Sequence, residues 1–155
     1  MHKVIKHIVT NIGISLFLIL SILITPKAYS DQSTEDIIKG RKALFSKNYK
    51  TAKKVQSLSA RGDFDEAKEL MNEMSENYEV LLKLFPESSK EGFQTEALPI
   101  IWEEKENFDN LMNKASKDMI ELVAIIEDAD DIRGSIKKFM WSNCKACHTK
   151  YREEH

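Results

Sequence analysis

Four long segments of this 155-residue chain carry apolar residues at spacings of three, four or seven, and this pattern narrows the possible folds most. In the first segment the stripe is Ile38, Arg41, Phe45, Ala52 and Val55, in which Arg41 interrupts the apolar residues. Residues at these intervals lie on one face of an α-helix. None of the four segments alternates at the period of two that a half-buried strand requires. The sequence therefore predicts an all-α protein.

The predicted helices span residues 33–60, 64–85, 99–127 and 132–152. Ser33 with Asp36, and Asp63 with Glu66, are placed to cap the first two helices. Gly62 suits the left-handed stop between them. An acidic run at residues 127–131 is expected to cap the last helix. Two short connections and a longer one over residues 87–98 favour an antiparallel four-helix bundle with a cofactor in its core.

The most specific motif is Cys144-Lys145-Ala146-Cys147-His148, which ends seven residues before the C-terminus and holds both cysteines of the chain. Cys-x-x-Cys-His is typical of c-type haem attachment. On a helix these positions share one face. Cys144 and Cys147 can then each add a thiol to one haem vinyl group, while the His148 imidazole reaches the iron as an axial ligand.

Two other kinds of site would use the same cysteines. A thiol redox pair normally opens a helix after a strand, and no strand is predicted. A zinc site needs four ligands, and outside the N-terminal segment only His155 could add to the motif. A haem-free thiol or zinc-binding helical protein is therefore the alternative hypothesis.

Residues 1–30 have the features of a secretory signal. Lys3 and Lys6 lie in a basic start without acids, residues 12–24 form a mostly apolar run, and Ala28-Tyr29-Ser30 suits signal peptidase. The run is shorter than the roughly 20 residues of a membrane span. We expect cleavage before Asp31, a mature domain over residues 31–155 and a periplasmic location, where thioether attachment of haem takes place.

The charge of the mature chain excludes some classes of partner. The first 30 residues hold three lysines and no acid, so 20 basic and 25 acidic residues remain, a net charge of −5. A nucleic-acid-binding protein would present a basic face. An acidic surface suits a basic redox partner protein instead. No hydrolase triad, paired-carboxylate signature or phosphate loop is visible, so we do not expect an enzyme.

The position of the motif at the end of the last helix resembles the class II c-type cytochromes, the cytochrome c-prime family. Supporting pieces are Arg41 in the first helix and the segment Thr95-Glu96-Ala97-Leu98-Pro99-Ile100-Ile101-Trp102 before the third. The resemblance covers nearly all of the mature chain. It implies a four-helix bundle that binds one haem c covalently, in the core near the C-terminal helix.

The resemblance also implies roles for individual residues. Arg41 would approach a haem propionate, and Arg152 would lie beside the axial imidazole. Phe45 occupies the position that is Met in low-spin relatives, which implies a five-coordinate, high-spin iron. Thr95 and Trp102 would lie near the haem edge. From the residues alone, Phe45 and Trp102 also suit an apolar core, Arg41 could reach water, and Arg152 could serve only as a helix-end cation.

Five methionines fall on inner stripes, and we expect them to pack rather than ligate iron. They are Met71, Met74, Met112, Met119 and Met140.

The function implied is binding of NO and CO, together with electron transfer. We expect no stable carriage of dioxygen, because no donor for a bound ligand is apparent. Family members often form homodimers through their first two helices. A homodimer is therefore expected here, with Tyr49, Leu58 and Leu82 partly exposed.

Overall fold

The computed structural model describes residues 32–154; the predicted secretory signal lies outside the described residues. The α-helices are α1 (Thr34–Ser59), α2 (Phe64–Leu81), α3 (Ile100–Glu103), α4 (Lys105–Ile125), α5 (Ile132–Ile136) and α6 (Ser142–Tyr151). Two 3₁₀ turns follow α2, at Leu82–Leu84 and Glu87–Ser89. A π-helical turn, Lys137–Trp141, joins α5 to α6.

These elements form four rods: α1, α2, α3 with α4, and α5 with α6. Helix α2 packs against α1 and α4, and α4 also contacts α6 and the π-helical turn. Short connections join the first rod to the second and the third to the fourth, which makes each of these pairs antiparallel. Residues 32–154 contain no β-strand, only one isolated antiparallel bridge between Ala97 and Arg152. The predicted all-α bundle is thus confirmed. No helix in this part of the chain combines the length and hydropathy needed to cross a bilayer.

Most predicted helix ends are correct. Ser33 Oγ accepts a hydrogen bond from the Asp36 N–H at 3.1 Å, and Gly62 has φ of 81°. Asp131 Oδ1 accepts from the Gly134 N–H at 2.8 Å. A Cβ on Gly134 would lie 2.1 Å from Asp131 Oδ2. Any other residue at position 134 would therefore force the capping carboxylate to move. The prediction for Asp63 was wrong: its side chain makes no cap.

The Asp63 carboxylate accepts instead from Arg61 Nε at 3.0 Å. The second and third predicted helices also end or break differently from the prediction. The second leaves α-helical geometry at Leu82. The third is interrupted at Glu104, where φ is −116° and ψ is 41°. At that point the Glu104 carboxylate binds Lys150 and the Tyr151 hydroxyl. These partners lie more than 40 residues away, so a local pattern could not reveal them.

The π-helical turn keeps the inward-facing residues of the fourth rod on one side. From Ile136 through Met140, Asn143 and Cys147 to Tyr151, four turns take 15 residues. Four regular α-helical turns take about 14.4 residues. A wider π-helical turn absorbs the excess, and it keeps the stripe facing the bundle.

The end of the bundle where α1 finishes, α2 begins, α4 finishes and α5 lies is filled by apolar side chains, and we call it the closed end. Its most buried members are at most 3% exposed: Ala52, Val55, Leu58, Ala67, Met71, Met74, Met119, Leu122, Ile126, Ile136 and Met140. Leu58 therefore lies in the core, which corrects the expectation that it is partly exposed. Tyr49, by contrast, is 56% exposed.

Candidate haem-binding cavity

The opposite end of the bundle, which we call the cavity end, encloses a volume of about 650 Å³. This volume falls within the usual range for small-molecule and cofactor sites. Walls come from the first half of α1, the first half of α4, helix α6 and residues 95–97. The apolar lining is Phe45, Phe85, Ile101, Phe108, Leu111, Met112 and Ala115.

The predicted attachment residues all line this cavity from α6. Cys144 and Cys147 are free thiols, and Cys144 Sγ lies 3.6 Å from the Met140 carbonyl oxygen. Partial burial, and then the charge of Arg152, lower the pKa of His148. The imidazole is therefore neutral at pH 7, with a lone pair free for a metal. The helix thus directs two thiols and one nitrogen ligand into a single space.

The thiols themselves are not tuned for redox chemistry. Burial raises the pKa of Cys144, and it raises the pKa of Cys147 to about 12. A reactive redox cysteine has the opposite property, a lowered pKa that populates the thiolate. Within residues 32–154, no three His, Cys, Asp or Glu side chains are grouped so that they could hold a metal ion. The thiol-redox alternative has no support from this geometry.

Arg41 is a buried cation whose described partners are all neutral. The residue is 2% exposed. Its Nη1 donates to the Leu84 carbonyl at 3.2 Å and to Ser89 Oγ at 2.8 Å. Its Nη2 donates to the Ser89 carbonyl at 3.0 Å and to Thr95 Oγ1 at 2.5 Å. The guanidinium also lies 4.7 Å from the Phe85 ring centroid.

Burial without a compensating charge lowers the pKa of Arg41 to about 10. Among the residues that the structure describes, no carboxylate forms an ion pair with this guanidinium. Buried charges are normally paired. A cavity-lining cation of this kind therefore fits a ligand that carries carboxylates of its own, as haem does through its propionates.

Phe45 and His148 line the same cavity from different helices. The two ring centroids are 6.4 Å apart, and Phe45 also contacts Phe85 edge-on, again at 6.4 Å. Phe45 is half-buried, because one side of its ring faces the cavity. The structure therefore brings the predicted axial ligand and the predicted apolar cover together.

Thr95 and Trp102 are placed differently from each other. Thr95 lines the cavity, and its hydroxyl accepts from Arg41. Trp102 does not line it. The Trp102 indole N–H donates to the carbonyls of Phe85 and Pro86, both at 3.1 Å, and its ring lies behind that of Phe85. Trp102 thus supports the wall around Arg41 from outside.

Arg152 lines the cavity next to His148, and an ion pair holds it there. Its Nε donates to Glu96 Oε2 at 2.9 Å. The Glu153 N–H donates to the Glu96 carbonyl, and the Leu98 N–H to the Tyr151 carbonyl. The long connection is thereby fastened to the end of α6. This places residues 95–97 along the cavity.

Sequence reasoning missed one polar residue of the cavity wall, Asn48. It is 4% exposed and lies three residues after Phe45 on the inner face of α1. The signal was available in its spacing, since Asn48 falls between Phe45 and Ala52 on the stripe. Asn143 is a second buried amide of the wall, and it donates to the Asp118 carboxylate and the Phe139 carbonyl, each at 2.8 Å.

Comparisons with known proteins identify a family. A family model described as Cytochrome C' matches residues 36–152. The curated cytochrome c' of Rhodopseudomonas palustris is 32% identical over 120 residues, which cover 76% of this chain and 82% of that protein. That protein family binds a single c-type haem through cysteines, and this chain has two.

Solved structures show the same fold. Cytochrome c' from Rhodopseudomonas palustris aligns with a TM-score of 0.66 and 28% identity, over 77% of this chain and 97% of that one. A nitric oxide complex of a cytochrome c prime mutant from Alcaligenes xylosoxidans aligns with a TM-score of 0.65 and 20% identity, over 78% and 97%. From the cysteine motif, the helical cavity and the family match together, this chain belongs to the cytochrome c' family and is a c-type cytochrome with one haem.

Proposed function

We propose that this chain is a periplasmic, five-coordinate haem protein that binds NO and CO and exchanges electrons with a partner protein. Cys144 and Cys147 hold the haem through thioethers, and His148 ligates the iron. Arg41 binds a propionate, and Thr95 supports that arginine. Arg152 lies beside the axial imidazole.

One observation carries the proposal. Phe45, a side chain without a lone pair, is the residue of α1 that lines the cavity 6.4 Å from the His148 ring. Haem supplies an iron centre that can take a sixth ligand, and Phe45 cannot provide it. The space beside Phe45 is therefore available to small neutral gases. Nitric oxide is the ligand in one of the similar solved structures, which supports its choice as a probe.

Met112 is the competing ligand that must be tested. It is the methionine among the cavity-lining residues, on α4, and it is 2% exposed. A thioether that reached the iron would give a six-coordinate, low-spin protein and favour electron transfer over gas binding. Its contacts in the core, with the apolar lining of the cavity, favour a packing role.

The test is the absorption spectrum of the full chain after export and haem loading. We expect a high-spin ferrous spectrum at neutral pH and direct uptake of CO and NO. Phe45→Met should shift the spectrum toward low spin, raise the reduction potential and slow CO binding, because a thioether favours ferrous iron and must leave first. Phe45→Leu is the matched control and should remain high-spin.

A low-spin ferrous wild type would contradict the proposal. If Met112→Leu then restored the high-spin state, Met112 would be the sixth ligand. Electron transfer does not require gas binding, and the net charge of −5 suits a basic partner. The homodimer through α1 and α2 stays a prediction, which sedimentation of the haem-loaded protein can check.

A further inference from the structure

The cavity wall contains a hydrogen-bond donor that is not used. Asn48 Oδ1 accepts from Asn77 Nδ2 at 2.8 Å, while Asn48 Nδ2 is fully buried and has no hydrogen-bond partner among the described residues. Because Asn77 occupies the oxygen, the nitrogen is the polar atom that Asn48 has left for the cavity it lines. Buried donors are nearly always satisfied, so an unused one at a ligand cavity points to a ligand.

The surroundings of this amide hold it in place. Asn48 is 4% exposed, and its partner Asn77 is 8% exposed. The buried Tyr78 hydroxyl is a neighbour. Burial raises the pKa of Tyr78, and the Asn48 side chain opposes part of that rise. The amide nitrogen of Asn48 carries two N–H groups. At most one of them can point to the Tyr78 oxygen, so the other remains available. An oriented donor in a dry site interacts strongly with a dipole placed beside it.

Position along α1 relates this donor to the gas site. Asn48 follows Phe45 by three residues, so both side chains lie on one helical face, and both line the cavity. We propose that Asn48 Nδ2 donates a hydrogen bond to a polar diatomic ligand bound beside Phe45. This inference rests on the proposed gas-binding function and adds the residue that senses ligand polarity.

The consequence is a change in ligand preference. A purely apolar pocket does not stabilise a bound ligand that carries negative charge on its outer atom. A hydrogen-bond donor in the pocket stabilises that charge. Dioxygen and NO gain more from such a donor than CO does. The expectation that dioxygen is poorly stabilised assumed that no donor was present, and Asn48 supplies one.

The experiment uses CO as a vibrational probe of the haem-loaded full chain. A donor beside bound CO lowers the C–O stretching frequency, because it favours charge on the oxygen. Asn48→Leu and Asn48→Ala should both raise that frequency. A purely steric effect would move them in opposite directions, since leucine fills the space and alanine opens it. The same variants should release NO roughly 2- to 10-fold faster, the range for one lost hydrogen bond.

Two further variants keep the result interpretable. Asn48→Leu leaves Asn77 Nδ2 without its acceptor, so the double variant Asn48→Leu with Asn77→Leu removes both polar groups and should fold more readily. Ser59→Ala is the matched control. Its hydroxyl, also on α1, is buried and has no partner in the part of the chain that the structure describes. Ser59 does not line the cavity, so the C–O frequency should not move.

Each outcome decides the matter. Higher C–O frequencies in both Asn48 variants and in the double variant, with Ser59→Ala unchanged, support the inference. Normal CO binding with an unchanged frequency in all Asn48 variants overturns this inference alone and leaves gas binding intact. Failure of the ferrous wild type to bind CO overturns the proposed function, and this inference with it.

Discussion

The closed end and the cavity end of the bundle are built from the same helices by different rules. In the closed end, Val55, Met74 and Leu122 are fully buried against one another's helices. In the cavity end, Arg41 and Asn48 are 2% and 4% exposed, and both line the cavity. An apolar helix face is satisfied by another helix. A buried cation whose partners among residues 32–154 are all neutral fits a ligand that carries negative charge.

This contrast shows why the stripe residues of the closed end serve helix packing, whereas those of the cavity end serve a cofactor. Apolar burial is non-directional and tolerates any neighbour of suitable volume. Polar burial is directional and needs a particular partner. Arg41 and Asn48 are polar exceptions that line the cavity, whereas Ser59 is a buried polar exception outside it.

The largest effect should come from removing the attachment chemistry of the cavity end. Cys144→Ala combined with Cys147→Ala should abolish covalent haem, because no thiol remains to form a thioether. The denatured wild type should keep its haem and exceed the mature polypeptide in mass by one haem. Mass spectrometry after acid-acetone extraction measures this, with the exposed Ser142→Ala as control. Haem that extraction removes from the wild type would refute covalent attachment.

The next largest effect should be the loss of stability caused by a charge placed in the closed end. Val55→Asp puts a carboxylate where the side chain is 0% exposed, and we expect a loss of about 4 kcal/mol in the free energy of unfolding. Val80→Asp is the matched control, since Val80 is 47% exposed, and it should change stability little. Urea unfolding followed by circular dichroism gives both values. A tolerated aspartate at position 55 would show that the inner face of α1 is misassigned.

Arg41→Met should change the free energy of unfolding in opposite directions in the haem-bound and the haem-free protein. With haem bound, it leaves a propionate unpaired and should destabilise the protein by about 3 kcal/mol. In the Cys144→Ala, Cys147→Ala background, it removes an unpaired buried cation and should be neutral or stabilising. Urea unfolding of the four proteins tests the sign. Equal destabilisation in both states would mean that Arg41 acts through its bonds to Leu84, Ser89 and Thr95.

The smallest effect concerns a helix end far from the cavity. Asp131→Ala removes the cap on the Gly134 N–H and should lower the free energy of unfolding by about 1 kcal/mol. The visible spectrum should not change. Asp130→Ala controls for the lost charge, because Asp130 is an exposed neighbour and the cap of α5 is Asp131. A spectral change in Asp131→Ala would mean that the start of the fourth rod is coupled to the haem site.

Local pattern was enough to predict the four rods, the Ser33 cap and the Gly62 stop, because each depends on residues within a turn or two. It failed at Asp63, whose carboxylate is taken by Arg61, and at Glu104, which binds Lys150 and Tyr151. The Leu58 prediction failed for a related reason. Whether a leucine at the end of a stripe is exposed depends on which helix covers it.

The same division holds for the site. The motif at residues 144–148 was enough to predict covalent haem, because it places two thiols and an imidazole on one helical face. The family match decided between haem and the thiol or zinc alternative. Arg41 and Phe45 could be proposed only because the chain resembles a family. Asn48 was not recognised, because an asparagine on a stripe acquires meaning only when its two polar ends are assigned, one to Asn77 and one to the cavity.

By itself, then, the sequence determined the helices, their apolar faces and the chemistry of attachment, because periodicity and thiol spacing are properties of neighbouring residues. The tertiary structure alone decided that Arg41 is buried with no carboxylate partner among residues 32–154, that Trp102 lies behind the wall and that Asn48 Nδ2 has no hydrogen-bond partner within the same residues. Those properties depend on distance in space between residues far apart along the chain, and burial turns each unpaired polar group into a requirement for a ligand.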